Sequence, residues 1–274
     1  MMHLTYPGPD LNVSYHNHSR WSDGSAPLEE VCRKGKASGL KELGISDHWV
    51  DIPFEELRPV DWSTNLSKLD EYIETLQTLK AELEDETFSL KIGLEVDFFF
   101  ENADSALARL KKYPLDYMIG SVHYAGIFPV DHSIDKWLPL SEDRKAEICE
   151  IYWKKLEGAA ARPEFTWLGH LDLPKKFGLI DNAAYFSHAV RVLDIVRESG
   201  MGIELNTAGW FKECREQYPS LEILREANAR RIPVVVNADA HAPEHLKRNF
   251  EEAGKVLEEA GYPPRGKNRD SVTH

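Results

Sequence analysis

The sequence predicts an α/β fold, a parallel barrel of seven strand–helix units. Apolar runs near residues 12–17, 41–46, 91–96, 116–122, 165–170, 202–206 and 232–237 are short, rich in Val, Ile and Leu, and mostly unalternating. Strands buried on both faces of a parallel sheet have this pattern. The segments between the runs carry apolar residues at helical spacing, and such alternation is joined by right-handed crossovers. Six of the seven runs also end in histidine or a carboxylate. A parallel barrel that gathers ligands from several strands at one rim would show that recurrence.

Along the chain, VSYHNH closes the first strand and supplies His16 and His18, with Asp23 just behind. Ser25, Ala26 and Pro27 read as a helix start, an N-cap followed by an early proline, leading into Leu28, Val31 and Cys32. LGISDH ends the second strand at His48, and a long loop, 49–65, follows. Residues 66–84 place Leu66, Leu69, Tyr72, Ile73, Leu76, Leu79 and Leu83 on one helical stripe. IGLEVD delivers Glu95, and helix 103–112 leads to MIGSVH, which delivers His123. A second long loop, 124–140, precedes helix 141–160 and FTWLGH, which ends at His170. Helix 186–199, the strand with Glu204 and Asn206, helix 219–230, VVVNADAH with Asp239 and His241, and helix 248–260 complete the pattern. Both long loops follow strand-end histidines, so both are expected over the same rim, in contact with substrate. One barrel domain over 1–274 is expected, with 262–274 a polar, flexible tail.

The chain has 274 residues, 42% hydrophobic and 29% charged, with a formal net charge of −13. That suits a folded protein with a full core. It disfavours a broad nucleic-acid surface, which needs clustered Lys and Arg. Cys32, Cys149 and Cys214 form no CxxC pair, so reduced, mostly buried thiols are expected. No run is long enough to cross a membrane, and MMHLTYPGPD lacks the charged start and apolar stretch of a signal peptide. A cytoplasmic location is therefore expected. Nothing in the sequence sets the oligomeric state.

Residues two apart on a strand share a face, so His16 and His18 can reach one ion, and Asp239 and His241 repeat the geometry on the last strand. The last strand closes against the first, which makes the two pairs neighbours. Any single histidine is more often a hydrogen-bonded core residue. Six of eleven at successive strand ends point instead to metal. The expected ligands are His16, His18, Asp23, His48, Glu95, His123, His170, Asp239 and His241, holding two or three divalent ions. Mixed histidine and carboxylate donors suit zinc, iron or manganese.

The ordered motifs HNH, SDG, SDH, GLEVD, GSVH, GHLD, ELNTAG and NADAH resemble the polymerase and histidinol phosphatase (PHP) family over residues 12–245. GSVHY, GHLDLPKKFG, and ELNTAG followed by YPS look most like its monofunctional histidinol-phosphate phosphatases. The resemblance implies a distorted (β/α)7, TIM-like barrel with metals at the C-terminal rim of the strands. It implies one ion on His16, His18, Glu95 and Asp239, a second on Glu95, His123 and His170, and a third on Asp23, His48 and His241. It implies hydrolysis of L-histidinol phosphate, a small phosphomonoester, in histidine biosynthesis. Asp239, His241 and Asp23 would carry the catalytic proton and water chemistry. Arg20, Lys175, Lys176 and Lys212 follow rim strands and are expected at the phosphate, while Glu204 and Asn206 would meet the substrate amine or knit their strand. His132 is expected as a further substrate contact, and His3, His188, His245 and His274 outside the pattern. Relatives often carry a basic residue just after the sixth-strand glycine, where this chain has Trp210 and Phe211 before Lys212. Alternatives are a PHP phosphoesterase acting on nucleotides, phosphotyrosine or nucleic-acid ends, an amidohydrolase-like enzyme, or a non-catalytic metal-binding module.

Overall fold

A computed structural model of the chain describes residues 2, 4–6, 10–58, 60–64 and 66–263. In order, its elements are β1 (Val13–Ser14), α1 (Leu28–Ala37), β2 (Glu42–Ile45), β3 (His48–Trp49), α2 (Leu69–Leu83), β4 (Ser89–Asp97), α3 (Ala103–Leu110) and β5 (Tyr117–Ser121). They continue with β6 (Tyr124–Ala125), β7 (Phe128–Pro129), α4 (Ile134–Trp137), α5 (Glu142–Ala160), β8 (Trp167–Leu168) and α6 (Phe186–Ser199). The last are β9 (Gly202–Asn206), α7 (Leu221–Ala229), β10 (Val234–Asn237) and α8 (Phe250–Glu259). Among the described residues no helix is long and apolar enough to cross a membrane.

The expected strands pair in chain order, β1-β2-β4-β5-β8-β9-β10. Every ladder along that path is parallel. Short β3 prolongs the line of β2 and sets His48 beside Glu95 on β4. Between β10 and β1 the closure is thin, a single bridge of Asn17 with Ala240. There the His18 N–H donates to the Ala240 carbonyl at 2.9 Å and the Ala240 N–H to the His16 carbonyl at 3.1 Å. One side chain reinforces the seam, Asn237 Oδ1 accepting the Tyr15 N–H at 2.7 Å. The barrel is therefore nearly closed rather than evenly laddered: this seam is its thinnest junction, and the β1–β2, β5–β8 and β8–β9 ladders hold only two residue pairs each.

Helices pack outside with one face inward. On α2, Leu69, Tyr72, Ile73, Leu76, Leu79 and Leu83 are buried, as the period predicts. Ser141 caps α5 through the Arg144 N–H, and Gly200 ends α6 in the left-handed conformation, φ 73°, that glycine adopts without strain. Three expectations need correction. Pro27, not Ser25, occupies the N-cap of α1 and gives no side-chain cap, while the Ser25 N–H donates to the His241 carbonyl at 2.7 Å. Loop 124–140 is not irregular but holds the β6–β7 hairpin and α4, whose Trp137 is buried with its Nε1–H on the Val130 carbonyl at 2.9 Å. Tyr262 is buried, and its hydroxyl donates to the Ile232 carbonyl at 2.9 Å, so 262 is no tail. Residues 264–274 lie outside the described residues.

Inside the barrel the side chains form levels. The floor is apolar: Val13, Tyr15, Tyr117, Ile119, Trp167 and Val235, with Met2 and Leu4 packed below. Tyr117 lies across the axis because β2 and β4 leave it room. A Cβ on Gly44 or Gly93 would fall 2.2 Å from Tyr117 ring or hydroxyl atoms. Above the floor lies a buried polar layer, Glu204, Asn206 and Asn237, and above that the strand-end histidines.

Candidate metal centre

Glu95, 1% exposed, is the hub. Its Oε2 lies 3.0 Å from His16 Nε2, 3.6 Å from His18 Nε2 and 2.9 Å from His48 Nδ1. Its Oε1 lies 2.9 Å from His170 Nε2 and 3.5 Å from His123 Nε2. Asp239 Oδ1 approaches His18 Nε2 at 3.1 Å, His16 Nε2 at 3.5 Å and His241 Nδ1 at 3.6 Å. Asp23 Oδ2 lies 3.1 Å from His241 Nε2 and 3.7 Å from His48 Nε2. Four overlapping groups of donors gather closely enough to hold ions: His18, Asp23, His48 and His241; His16, His18 and Glu95; His16, His170 and Asp239; His48, Glu95 and His123. All nine predicted ligands thus converge. His48 is drawn nearer Glu95 than the expected three-way division places it.

Local sequence explains the placement. Asp47, the middle residue of SDH, accepts the Ser19 N–H and hydroxyl, both at 2.7 Å, and the Ser22 N–H at 3.2 Å. It thereby pins the turn that carries Asp23. Gly24 is needed in that turn because an added Cβ would lie 2.6 Å from the His18 carbonyl. His170 and Asp239 have positive φ, 21° and 50°. Such conformations cost a non-glycine residue energy and gather at functional sites.

A deeper set of carboxylates orients the rings. Glu204 Oε1 lies 2.8 Å from His16 Nδ1, and Asp97 Oδ2 lies 2.8 Å from His123 Nδ1. Metal-ligating histidines almost always have such a partner on the other nitrogen, which fixes tautomer and direction. Asn206 Nδ2 donates to Glu204 at 3.0 Å and to Asp239 at 3.2 Å, tying the two levels together.

The electrostatics favour anionic carboxylates. Burial pushes the Glu95 and Asp239 carboxyls up, but surrounding histidines, His16 foremost, hold both well below the usual range. Burial lowers His16, yet Glu204, Glu95 and Asp239 together raise it well above the usual histidine value. Burial and the rings of His241 and His48 bring His18 down.

The donors fit divalent cations. His16 Nε2, His18 Nδ1, His48 Nδ1 and Glu95 Oε2 are buried without a hydrogen-bond partner, despite their crowding. Buried polar atoms almost always find a partner. Lone pairs that face a shared space instead of each other are what nitrogen and carboxylate ligands present to a metal.

Over the donors opens a cavity of about 710 Å³ whose walls come from both long loops and the turns after β8, β9 and β10. Lys176, Lys212 and His132 line it as expected. Lys175 does not. It is 4% exposed and bound to Asp172 at 2.9 Å and Glu216 at 2.6 Å, so it is no phosphate contact. Arg20 is exposed outside the cavity, its Nε on the Ser25 carbonyl at 2.9 Å. Glu204 and Asn206 are fully buried, so of their two expected roles the structure leaves the knitting one. His245 lines the cavity although it was placed outside the pattern. His188 pairs with Arg191 at 2.6 Å away from the site, and His3 and His274 lie outside the described residues. Sequence reasoning missed Asp97, although it stands two residues after Glu95 on one strand face. It also missed Trp62 and Arg248, which line the cavity from rim loops.

Residues 14–208 match the PHP domain. A protein of Deinococcus radiodurans named "Probable histidinol-phosphatase" is 35% identical over 239 residues, covering 85% of this chain and 86% of its own length. The histidinol-phosphatase of Bacillus subtilis is 25% identical over 234 residues, 78% of this chain and 87% of its own. The crystal structure of Lactococcus lactis histidinol phosphate phosphatase, complexed with zinc, L-histidinol and phosphate, shares the fold. Its TM-score is 0.77 at 21% identity, covering 92% of this chain and 94% of that one.

Proposed function

We propose that this chain, which belongs to the PHP domain family, is a metal-dependent phosphomonoesterase that hydrolyses L-histidinol phosphate to L-histidinol and phosphate in histidine biosynthesis. The observation that carries the reading is the convergence of nine donors beneath a cavity sized for a small molecule. The names of its relatives supply the substrate class. Two or three divalent ions, zinc, iron or manganese, would be held by His16, His18, Glu95 and Asp239, by Glu95, His123 and His170, and by Asp23, His48 and His241. Bound there, the ions would act as Lewis acids on phosphoryl oxygens and lower the pKa of water.

The chain's own groups do the rest. Glu204 and Asp97 hold His16 and His123 in the ligating tautomer. Asn206 fixes Asp239 over the cavity, where its carboxylate can orient the attacking water. Asp23 and His241 are the most exposed of the nine, at 32% and 41%, and their polar atoms lie 3.1 Å apart. With two ions bound and the Asp23, His48 and His241 position free, a proton held between His241 Nε2 and Asp23 Oδ2 is placed to reach the leaving oxygen at the mouth; a third ion there would replace that proton and neutralise the leaving oxygen instead. Loops 49–65 and 124–140 contribute Trp62 and Tyr124, whose rings stack at 6.3 Å and narrow the entrance to water. A cytoplasmic location goes with this reading.

Phosphate release from L-histidinol phosphate, nucleotides, phosphotyrosine and phosphorylated oligonucleotides, compared under one metal condition, tests the substrate. L-histidinol phosphate should lead in kcat/KM by well over tenfold, where tenfold alone is worth about 1.4 kcal/mol. A nucleotide or phosphotyrosine turned over as well or better would overturn the substrate while leaving the phosphoesterase site standing.

A further inference from the structure

Following the strands round the barrel, the loops after β3 and β5 lie across the mouth from the turns after β9 and β10. The first arc contributes Asp61, Trp62, Tyr124 and Asp131 to the cavity, and the second Phe211, Lys212, His245 and Arg248. One wall is acidic and aromatic; the other carries cations. Lys176, between them, is neutralised by Asp131, its Nζ 3.2 Å from Oδ2 and 2.6 Å from the main-chain carbonyl.

Arg248 differs from the other basic residues near the site. Its guanidinium carbon lies 3.7 Å from the centroid of the Phe211 ring. Its main-chain carbonyl accepts the Thr207 hydroxyl at 2.7 Å, which ties the turn after β10 to the turn after β9. Among the described residues no carboxylate pairs with it, and its Nε is buried without a hydrogen-bond partner. Burial lowers its pKa, and Asp239 only partly opposes that, so the group gains from an arriving anion. Phe211 is 47% exposed, and the guanidinium stacked on it covers one face of the ring at the cavity wall. A flat, pre-oriented guanidinium suits bidentate recognition of phosphate oxygens.

We propose that Arg248, levelled on Phe211, receives the substrate phosphate, and that the ammonium and imidazole end lies across the mouth against Asp61, Trp62 and Tyr124. This rests on the phosphomonoesterase reading and adds the orientation of the substrate and the residue that sets it. A molecule with a dianion at one end and a cation at the other matches a mouth divided in this way, whereas a plain alkyl phosphate uses only one wall.

The test compares wild type with Arg248→Gln, Arg248→Lys and Phe211→Leu, all metal-loaded, with metal content measured on each. KM and kcat for L-histidinol phosphate, and inhibition constants for inorganic phosphate and for L-histidinol, are the readouts. Arg248→Gln should weaken inorganic phosphate and raise KM by about tenfold to a hundredfold, the loss of charge-assisted hydrogen bonds. L-histidinol inhibition and metal content should stay unchanged. Arg248→Lys should recover part of the loss, and Phe211→Leu should show a smaller one, about threefold, in the same constants. An unchanged phosphate constant in Arg248→Gln overturns the proposal, as does equal weakening of phosphate and L-histidinol together with metal loss. Should Arg248→Gln fail to fold, the lysine and Phe211 variants decide by the same constants. The substrate reading fails separately. A wild type that hydrolyses p-nitrophenyl phosphate but not L-histidinol phosphate sinks that reading, and the phosphate constant of Arg248→Gln still judges Arg248.

Discussion

At the floor of the barrel the rings of Tyr15, Tyr117 and Trp167 lie with centroids 4.9 to 5.9 Å apart. At the rim the rings of six histidines lie 4.3 to 6.2 Å apart. The spacing is alike and the energetics are opposite. Floor rings gain from leaving water, the Tyr117 hydroxyl donates to the Tyr15 carbonyl at 2.5 Å and the Tyr15 hydroxyl to Glu42 Oε2 at 2.6 Å, and of these three rings only Trp167 keeps a buried polar atom, Nε1, without a partner. Rim rings surround carboxylates and leave buried nitrogens without partners, so that layer is complete only with cations. The difference teaches where stability and activity reside: the floor should hold the barrel together, and the rim should do the chemistry at some cost to the fold.

Metal removal should separate the two regions most sharply. Exhaustive chelation should abolish phosphate release while circular dichroism still reports a folded barrel, with a lower melting temperature because bound ions stabilise the native state. Full activity after verified metal loss would end the metal reading. Next in size, Tyr117→Ala should cost about 3–5 kcal/mol in urea unfolding, the range for removing a buried aromatic ring. The molecules that remain folded should keep their metal. A cost under 1 kcal/mol would show that the floor does not support the barrel.

Glu95→Gln and Asp239→Asn keep side-chain size and remove a charge. Each should lower kcat about a hundredfold or more with little loss of unfolding free energy. Near-normal turnover with full metal content would remove that residue from the machinery. Smallest should be Glu204→Gln, one level below the rim. It should weaken metal affinity about tenfold to a hundredfold, with activity restored by excess metal. Unaltered metal retention under dilution would deny Glu204 its orienting role.

The rim was more legible than the floor. Its donors stand at the ends of apolar runs, where residue type and strand periodicity already select them. Depth was less readable. Glu204 and Asn206 lie on the correct strand face but belong to the buried layer, and alternation reports a face without reporting a level. Lys175 looked available because its partners, Asp172 and Glu216, reach it only through folding. Arg248 was assigned to a helix starting at 248, whereas α8 begins at Phe250 and leaves Arg248 in the rim turn. On the floor, Gly44 and Gly93 read as ordinary strand glycines, since nothing local announces that Tyr117 will lie against both.

The thin seam between β1 and β10 also sets an order of events in biosynthesis. His18 and Asp239, 3.1 Å apart in the fold, are separated by 221 positions in the chain. The first strand leaves the ribosome early with His16 and His18 and no counterpart, and Asp239 and His241 emerge only after every other strand has been made. Closure of the barrel and assembly of the complete donor set therefore both wait for the last strand. A nascent chain interrupted before its final strand holds histidines that can still capture stray metal, but it lacks the carboxylate across the seam that would make the capture productive.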